Sequence, residues 1–263
     1  MLVGSNRKSR SDMGTSTSSK GPGGNSPYIP GWIDTNGQPP FPEAPPQRFK
    51  DFRTNLGKFV ASGDGNYLRS AVSSYAGAAT GGSAIGSARF GSMAGAGGAL
   101  FGAMAAFREG QSIPGLDLAS LSGQDTDLAI SVIVQALAIE DGDSDRVRVA
   151  MNEALSECLQ GYEEFDFSNI TDEMLVQMML VYVTNCVFGQ VVLDSNDAFA
   201  KAKSAGQVEQ AEKDLHSLVE SVTDKHMRPL LSGNLKSFTS ARVEQVQLLA
   251  IKEVWSEWES YEQ

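Results

Sequence analysis

Cysteine and histidine are scarce in this sequence, which contains two residues of each type among 263. Cys158 and Cys186 both lie within apolar helical patterns, where cysteine usually behaves as a small hydrophobic residue. Two cysteines do not make the disulfide framework that indicates secretion, and no apolar stretch of a signal peptide follows the basic residues near the N-terminus. We therefore expect a cytoplasmic protein without a metal site or a cofactor.

The sequence also lacks the motifs of the common enzyme classes. Gly57-Lys58 is not followed by serine or threonine, so it does not form a phosphate-binding loop. His216 lies on a polar helix face and His226 at a helix end, where a solvated histidine is more common than a catalytic base. The acidic run at 141–145 lacks the glycine and the glutamate of a calcium loop, and helix capping by Asp143 or Ser144 explains it better. We expect no catalytic residue.

Positive charge is scarce beyond residue 60. The chain has a net charge of −11, and residues 1–60 contain eight Lys/Arg against four Asp/Glu, which leaves thirteen against twenty-eight for the rest. The part after residue 60 therefore has a charge of about −15, which argues against a phosphate-binding surface. We expect no direct binding of nucleic acid.

The N-terminal residues 1–46 are rich in glycine, serine, proline and asparagine. These residues interrupt any helical or alternating pattern, so this part is predicted to be a disordered tail. Tyr28, Ile29 and Trp32 stand among prolines as a short extended segment, and they are candidate anchors for docking in an apolar groove. A loose tail with chance aromatic residues is the alternative interpretation.

Residues 47–263 show apolar residues at spacings of three and four, which is typical of amphipathic helices. No stretch alternates as a strand would, so we predict an all-α domain, an irregular bundle of six to eight helices. Thr171 is the predicted N-cap of a helix over 172–193 that is apolar nearly all round and is expected at the centre of the bundle. The other predicted helices cover about 46–62, 67–78, 128–141, 144–160, 207–227 and 240–261.

The segment 81–107 consists almost wholly of glycine, alanine and serine with scattered apolar residues. Small residues stand four apart at Gly91/Gly95 and at Gly98/Gly102, a spacing that lets two helix backbones approach closely. An inserting membrane helix is the alternative, but glycine and alanine contribute little transfer free energy to it. We therefore favour tight packing against other helices of the bundle.

The stretch that begins at Met13-Gly14 consists mostly of small residues, which make a flexible chain with no apolar surface to bury. If residues 1–13 are a misread start or a leader that is removed, Gly14 becomes a free N-terminus. Its α-amine, with a pKa near 8, is partly neutral at pH 7 and is a usable nucleophile. The same residues fit the loose myristoylation template, and an unmodified tail is a third interpretation. We predict Gly14 as a modification acceptor.

Several stretches of the sequence together are similar to a known family. They are Gly14-Thr15-Ser16-Thr17-Ser18-Ser19-Lys20-Gly21-Pro22-Gly23-Gly24, Pro27, Pro30-Gly31-Trp32, Arg48-Phe49-Lys50-Asp51-Phe52-Arg53, Ala79-Thr80-Gly81-Gly82-Ser83 and Asp224-Lys225-His226. The sequence resembles QatB, the helical component of the bacterial Qat anti-phage defence system. The likeness runs from Gly14 to near the C-terminus.

The resemblance implies a non-enzymatic protein that acts with a QueC-like (QatC-like) enzyme, an ATPase and a TatD-like nuclease. QueC-like enzymes activate a 7-deazaguanine carboxylate with ATP, and in the defence versions the acceptor is the N-terminal glycine of a partner protein. Carried onto this chain, the acceptor is Gly14, provided that Met1 to Asp12 are absent or removed. The partner-recognition tail then consists of Thr15, Ser16, Thr17, Ser18, Ser19, Lys20, Gly21, Pro22, Gly23 and Gly24.

Overall fold

A computed structural model describes residues 26–33 and 41–262 of the chain. These residues form ten α-helices and no β-strand, which confirms the all-α prediction. Nine of the ten helices have at least seven residues. The prediction that the helical domain begins at residue 47 stays a prediction. The helices are α1 (Lys50–Ser62), α2 (Gly65–Ser74), α3 (Gly82–Ala88), α4 (Gly91–Arg108), α5 (Leu118–Leu121), α6 (Thr126–Leu137), α7 (Ser144–Cys158), α8 (Asp172–Ser195), α9 (Ala205–Met227) and α10 (Ser240–Glu259).

Shorter turns join these helices. A π-helical turn at Tyr75–Ala79 continues α2 and leads towards α3. Single 3₁₀ turns lie between or after the later helices, where they change the direction of the chain over a few residues. Their bounds are Phe167–Asn169, Ala198–Lys201, Arg228–Leu231, Leu235–Ser237 and Ser260–Glu262.

Helix α8 lies at the centre of the bundle, as its all-round apolar sequence predicts. It packs against α7 on one side and α9 on another, and it also contacts α4. Thr171 is its N-cap, since the Thr171 hydroxyl accepts a hydrogen bond from the Met174 amide at 3.1 Å. Asp172 and Glu173 occupy the first turn, where their charge favours the positive end of the helix dipole.

The Gly/Ala-rich segment forms two helices rather than one, with a bend of 58° between α3 and α4. Both helices pack against α10, and glycines are needed where the backbones come closest. A Cβ built on Gly98 would lie 2.5 Å from the carbonyl oxygen of Ser240, a distance that real Cβ atoms do not reach. Gly97 and Gly102 are also too close to α10 side chains to carry a Cβ. The small residues therefore allow close helix packing within the bundle.

Helix α8 is long and apolar enough to cross a membrane by length and composition alone, and α3 with α4 passes the same test if they count as one bent span. Buried core helices of globular proteins satisfy this test as well. In this fold 67% of the apolar window of α8 is buried against other helices. Its burial and the glycine contacts of α4 account for both apolar stretches without a lipid phase.

Candidate functional site

Gly14 and residues 15–24 of the predicted recognition tail lie outside the described residues. The three predicted anchors, Tyr28, Ile29 and Trp32, lie in residues 26–33. We call residues 26–33 the root segment and the chain ahead of residue 26 the N-terminal arm. Tyr28 and Ile29 are half-buried, whereas the side chain of Trp32 is 50% exposed. All contacts of Tyr28 and Trp32 given below are with the chain's own helices and turns, and their role in docking to a partner stays a prediction.

Arg48 holds the root segment against the start of α1. One terminal nitrogen, Nη2, donates hydrogen bonds to the Ser26 hydroxyl at 3.2 Å and to the Pro27 carbonyl at 3.1 Å. The other, Nη1, donates to the carbonyl of Ala79 at 2.6 Å, and the guanidinium lies 5.0 Å from the ring centroid of Tyr28. Burial lowers the pKa of Arg48 from its usual value. The root segment is therefore fixed at a defined place on the bundle.

Trp32 covers the turn that precedes α7. A Cβ built on Gly142 would lie 2.6 Å from the indole ring, so this turn can approach Trp32 only because it carries glycine. The guanidinium of Arg89 lies 5.9 Å from the Trp32 ring centroid on the same side of the bundle. Such a cation–aromatic contact stabilises the position of an exposed ring by about 0.5–1 kcal/mol.

A cavity of about 480 Å³ lies beneath the root segment, and we call it the root cavity. Three buried aromatic rings pack together next to it. The ring centroid of Trp255 lies 5.3 Å from that of Phe90 and 5.9 Å from that of Tyr75. The Trp255 indole nitrogen donates to the Thr80 hydroxyl at 2.8 Å, so its one polar group is satisfied. Trp255 and Phe90 are 0% exposed and Tyr75 is 1% exposed, so these rings pack against one another behind the cavity and offer it almost no accessible surface.

Arg89 and Arg146 line the root cavity and share one buried carboxylate as their partner. Arg89 donates to Asp143 at 3.2 Å and to the side-chain oxygen of Gln190 at 3.0 Å. Arg146 makes an ion pair with the same Asp143, whose side chain is fully buried. Asp143 is the N-cap residue of α7, but its carboxylate makes no capping hydrogen bond. It binds the two guanidinium groups instead, a use that the sequence did not indicate.

Asp194 lies at the inner end of the root cavity and is 3% exposed. Its carboxyl group accepts hydrogen bonds from the Tyr75 hydroxyl at 2.8 Å and from the Gln190 amide at 3.0 Å. Burial raises the pKa of Asp194, an effect that these hydrogen bonds and the charges of Arg89 and Arg48 partly offset. Burial, together with Asp194, also raises the pKa of Tyr75 well above its usual value, so the hydroxyl remains a donor.

Two nitrogen atoms of the arginines that line the root cavity have no hydrogen-bond partner among the described residues. The Nε atoms of Arg48 and Arg146 are buried and have no hydrogen-bond partner among the described residues. Three guanidinium groups, those of Arg48, Arg89 and Arg146, line the cavity together with one carboxyl group, that of Asp194. Asp143 pairs with Arg89 and Arg146 but does not line the cavity. The cavity is thus locally positive in a chain whose net charge is −11. Such a site favours a ligand that offers hydrogen-bond acceptors or negative charge.

The sequence did not indicate a site for the polar residues of this cavity. Arg48 belongs to one of the stretches shared with the family, Arg89 lies within the Gly/Ala-rich segment, and Asp194 lies just beyond the predicted end of its helix. One local signal was present, because Gln190 and Asp194 stand four residues apart on an otherwise apolar helix. The convergence of Arg48, Arg89 and Asp194 depends on long-range packing, which single-sequence patterns do not reveal.

Both histidines form side-chain pairs with residues of the bundle. His226 lies 2.6 Å from a carboxylate oxygen of Glu257, which Lys225 also contacts at 2.8 Å, and His216 lies 3.0 Å from the amide oxygen of Asn185. Burial alone would raise the pKa of Glu257, but the hydrogen bonds from Lys225 and His226 lower it. Among residues 26–33 and 41–262, no group of three or more His, Cys, Asp and Glu side chains could hold a metal ion.

The fold and the cavity together define an all-α protein with a cavity of about 480 Å³ beneath its root segment. The family model described as "Qat anti-phage system associated protein QatB" matches residues 81–258. The chain therefore belongs to the QatB family and has a role in the Qat anti-phage defence system. Searches of curated proteins and of solved structures returned no match. The matched residues include α4, α8 and α10 but not the arm that contains Gly14.

Proposed function

We propose that this protein is a non-enzymatic component of the Qat system that binds a QueC-like partner enzyme and presents its N-terminal glycine for modification. Gly14 is the acceptor once the residues before it are absent. The partner uses ATP to activate the carboxylate of a 7-deazaguanine. Membership of the QatB family, given by the match over residues 81–258, is the observation that carries this proposal.

The chemistry assigned to Gly14 is an acyl transfer to an amine. ATP and the deazaguanine carboxylate give an acyl adenylate and pyrophosphate on the partner. The neutral α-amine of Gly14 attacks the acyl carbon, the new C–N bond forms as the bond to AMP breaks, and the amine loses a proton. Glycine carries no side chain that would hinder this attack, and a pKa near 8 leaves part of the amine neutral at pH 7.

The root segment supports the presentation of an arm. Because Arg48 fixes Ser26 and Pro27 to the helices, the chain ahead of residue 26 starts from a defined point on the bundle. The twelve residues ahead of Ser26, from Gly14 to Asn25, span up to about 40 Å when extended. That reach lets the terminal amine enter a partner's active site while the bundle stays on the partner's surface. The tail from Thr15 to Gly24 would supply the recognition.

Intact mass spectrometry of the protein co-expressed with its QueC-like partner tests the proposal. We expect a species that starts at Gly14 and is heavier by one deazaguanine acyl group. Gly14→Val should lose this adduct, since the branched side chain crowds the amine, whereas Gly4→Val, in the segment expected to be absent, should keep it. An unmodified chain that retains Met1 in cells with active defence would contradict the proposal.

A further inference from the structure

Helix α6 turns an uncharged face to the solvent. The side chains of Leu128 and Val132 are 52% and 39% exposed, and they stand four residues apart, so both lie on the same face of the helix. No charged residue occurs in the sequence between Asp127 and Glu140. Apolar side chains that are exposed next to one another indicate a contact surface, whereas scattered ones do not. The solvent-facing side of α6 therefore has the composition of an interface.

Helix α7 continues this surface across a shallow groove. Val149 of α7 is 56% exposed, and it lines the groove together with Ser131 and Gln135 of α6. Three of the seven large apolar side chains that are exposed in residues 26–33 and 41–262 thus belong to these two neighbouring helices. We call this surface the α6–α7 face and define it by six exposed residues, Leu128, Val132, Arg148, Val149, Asn152 and Glu153.

The four residues that α7 contributes to this face have the spacing of a helix that pairs with another helix. Val149 and Asn152 stand three residues apart, and Arg148 and Glu153 flank them. In the heptad repeat of paired helices these are positions a and d with their neighbours g and e. In parallel pairs, a charge at g contacts the opposite charge at the e position that lies five residues later on the other helix. Arg148 and Glu153 have this separation and opposite signs.

Both of these charged groups are available to a partner. Arg148 makes a surface ion pair with Asp145 at 3.4 Å, and the side chain of Asp145 is 98% exposed. Such a pair contributes little to stability, so Arg148 can exchange it for another carboxylate. Glu153 is exposed and has no ion pair in the part of the chain that the structure describes. A partner of a single sign would meet one attractive and one repulsive charge here, whereas a second copy of the face matches both.

We propose that the α6–α7 face binds the same face of a second copy of this chain. A two-fold axis parallel to α7 sets the two copies of this helix side by side and pairs Arg148 of each chain with Glu153 of the other. Val149 lies between the paired charges, and Leu128 adds apolar contact from α6. Helices of 12 and 15 residues are about 18 and 22 Å long, so the interface is smaller than the roughly 800 Å² per partner of a standard complex. We therefore expect a weak dimer with a Kd in the micromolar range.

Sedimentation velocity of the full-length protein, purified without any partner, tests this inference. Over about 1 to 100 µM, the weight-average sedimentation coefficient should rise from that of a monomer towards that of a dimer. A monomer at every concentration would overturn the inference and leave the α6–α7 face to a different protein. The measurement uses unmodified protein, so its result does not depend on the modification proposed for Gly14.

Substitution of one exposed leucine locates the interface. Leu128→Gln should weaken dimerisation by at least about tenfold, because the two-fold axis makes the substitution remove an apolar contact from both chains. Leu249→Gln is the matched control, since Leu249 is a 44% exposed leucine of α10 that is not part of the α6–α7 face. The control should leave the Kd unchanged. A dimer whose Kd is the same in Leu128→Gln as in wild type would place the interface elsewhere and overturn the inference.

Charge reversal tests the two-fold arrangement. Arg148→Glu places two carboxylates opposite each other and Glu153→Arg places two guanidinium groups opposite each other, so each variant alone should dimerise about tenfold more weakly. Both residues are exposed, so neither change should disturb the fold. An equimolar mixture of the two variants should associate as wild type does, because every reversed charge then meets the opposite charge on the other chain. Unchanged dimerisation of either variant, or a mixture that associates no better than either variant alone, would overturn the inference.

Discussion

Asp194 is buried, and hydrogen bonds from neighbouring residues satisfy part of the bonding capacity of its carboxyl group. Tyr75 and Gln190 donate to its carboxyl group, and Arg53 donates to its backbone carbonyl at 2.8 Å. Hydrogen bonds to the charged form oppose the desolvation that raises its pKa. The folded carboxyl group therefore holds its proton to a higher pH than it does in the unfolded chain.

We predict that this buried carboxyl group makes stability fall as the pH rises. Above the unfolded pKa, about 3.9, the native state binds more protons than the unfolded state at Asp194, so its contribution to the unfolding free energy decreases with pH. Asp194→Asn keeps acceptor and donor atoms but cannot ionise. Urea denaturation between pH 4 and 7 should show the variant gaining stability relative to wild type as the pH increases.

Asp166 provides a control, because the pKa of its carboxyl group is shifted in the opposite direction to that of Asp194. Hydrogen bonds from Ser168, including its amide at 2.8 Å, lower the pKa of this exposed carboxyl group. Its contribution is present above the unfolded pKa and is lost as the pH falls, so Asp166→Asn should lose stability relative to wild type as the pH rises. Parallel pH profiles for the Asp194 variant and for wild type would contradict the assignment.

The two cysteines are predicted to be unreactive in the folded protein. Burial raises the pKa of Cys158 to about 12, with a further contribution from Glu157, and burial raises that of Cys186 to about 12 as well. Because the thiolate is the nucleophile, alkylation by iodoacetamide at pH 8 should be about a thousandfold slower than in urea. Mass spectrometry after timed labelling measures this, and rapid labelling of either cysteine without urea would contradict it.

Among the helices, the contact of α4 with α10 depends most directly on residues that lack a side chain. Gly98 faces the Ser240 carbonyl, whereas Gly95, three residues earlier in the same helix, has no atom within 4 Å of a built Cβ. The two glycines thus have the same helical backbone but different surroundings. They form a matched pair of positions. Substituting each one tests whether α4 is rich in glycine because α10 approaches closely or because glycine makes the chain flexible.

We predict opposite effects of the two glycine-to-alanine substitutions. Gly98→Ala should destabilise the protein by about 1–3 kcal/mol because the helices must separate. Gly95→Ala should stabilise it by up to about 1 kcal/mol, since alanine loses less backbone entropy in a helix. Urea denaturation measures both changes in unfolding free energy from the shift of the midpoint, provided that the m-value is unchanged. Equal effects of the two substitutions on the unfolding free energy would mean that the close contact between α4 and α10 does not require glycine at position 98.

Local sequence signals predicted most helices well, and their failures have physical causes. The buried faces of α7 and α10 follow from strict three-four spacing, and Thr171 caps α8 as predicted. In α6, the apolar side chains of Leu128 and Val132 are exposed, although their spacing fits a buried helix face. That helix is apolar on two faces, because Ile130 and Val134 form the buried one, so periodicity alone cannot choose between them.

At the scale of the whole molecule, the root segment links the arm to the bundle. Ile33 is 6% exposed, Arg48 bonds to Ser26 and Pro27, and Tyr28 lies against Gly81. These contacts join parts of the chain that lie 21 to 53 residues apart, which is why composition suggested a tail where the structure has an attached segment. The root cavity exists because this segment closes it on one side.

Two truncations should therefore differ in stability. Removing residues 1–25 retains the root segment, whereas removing residues 1–33 takes away the buried Ile33 and two hydrogen bonds of Arg48. We expect the second to be less stable than the first by about 2–4 kcal/mol, which corresponds to a Tm lower by roughly 5–10 °C. Differential scanning calorimetry compares them, and coincident transitions would show that the root segment is not a stable part of the fold.

The pairing of α4 with α10 also sets the order of events during synthesis. Helix α10 is translated after every other helix described, and the residues that separate it from α4 take on the order of ten seconds to make. Throughout that interval the glycine-lined face of α4 has no partner, so the bundle closes late. The chain ahead of Ser26 has by then long left the ribosome, and processing enzymes can reach it before the folded protein exists.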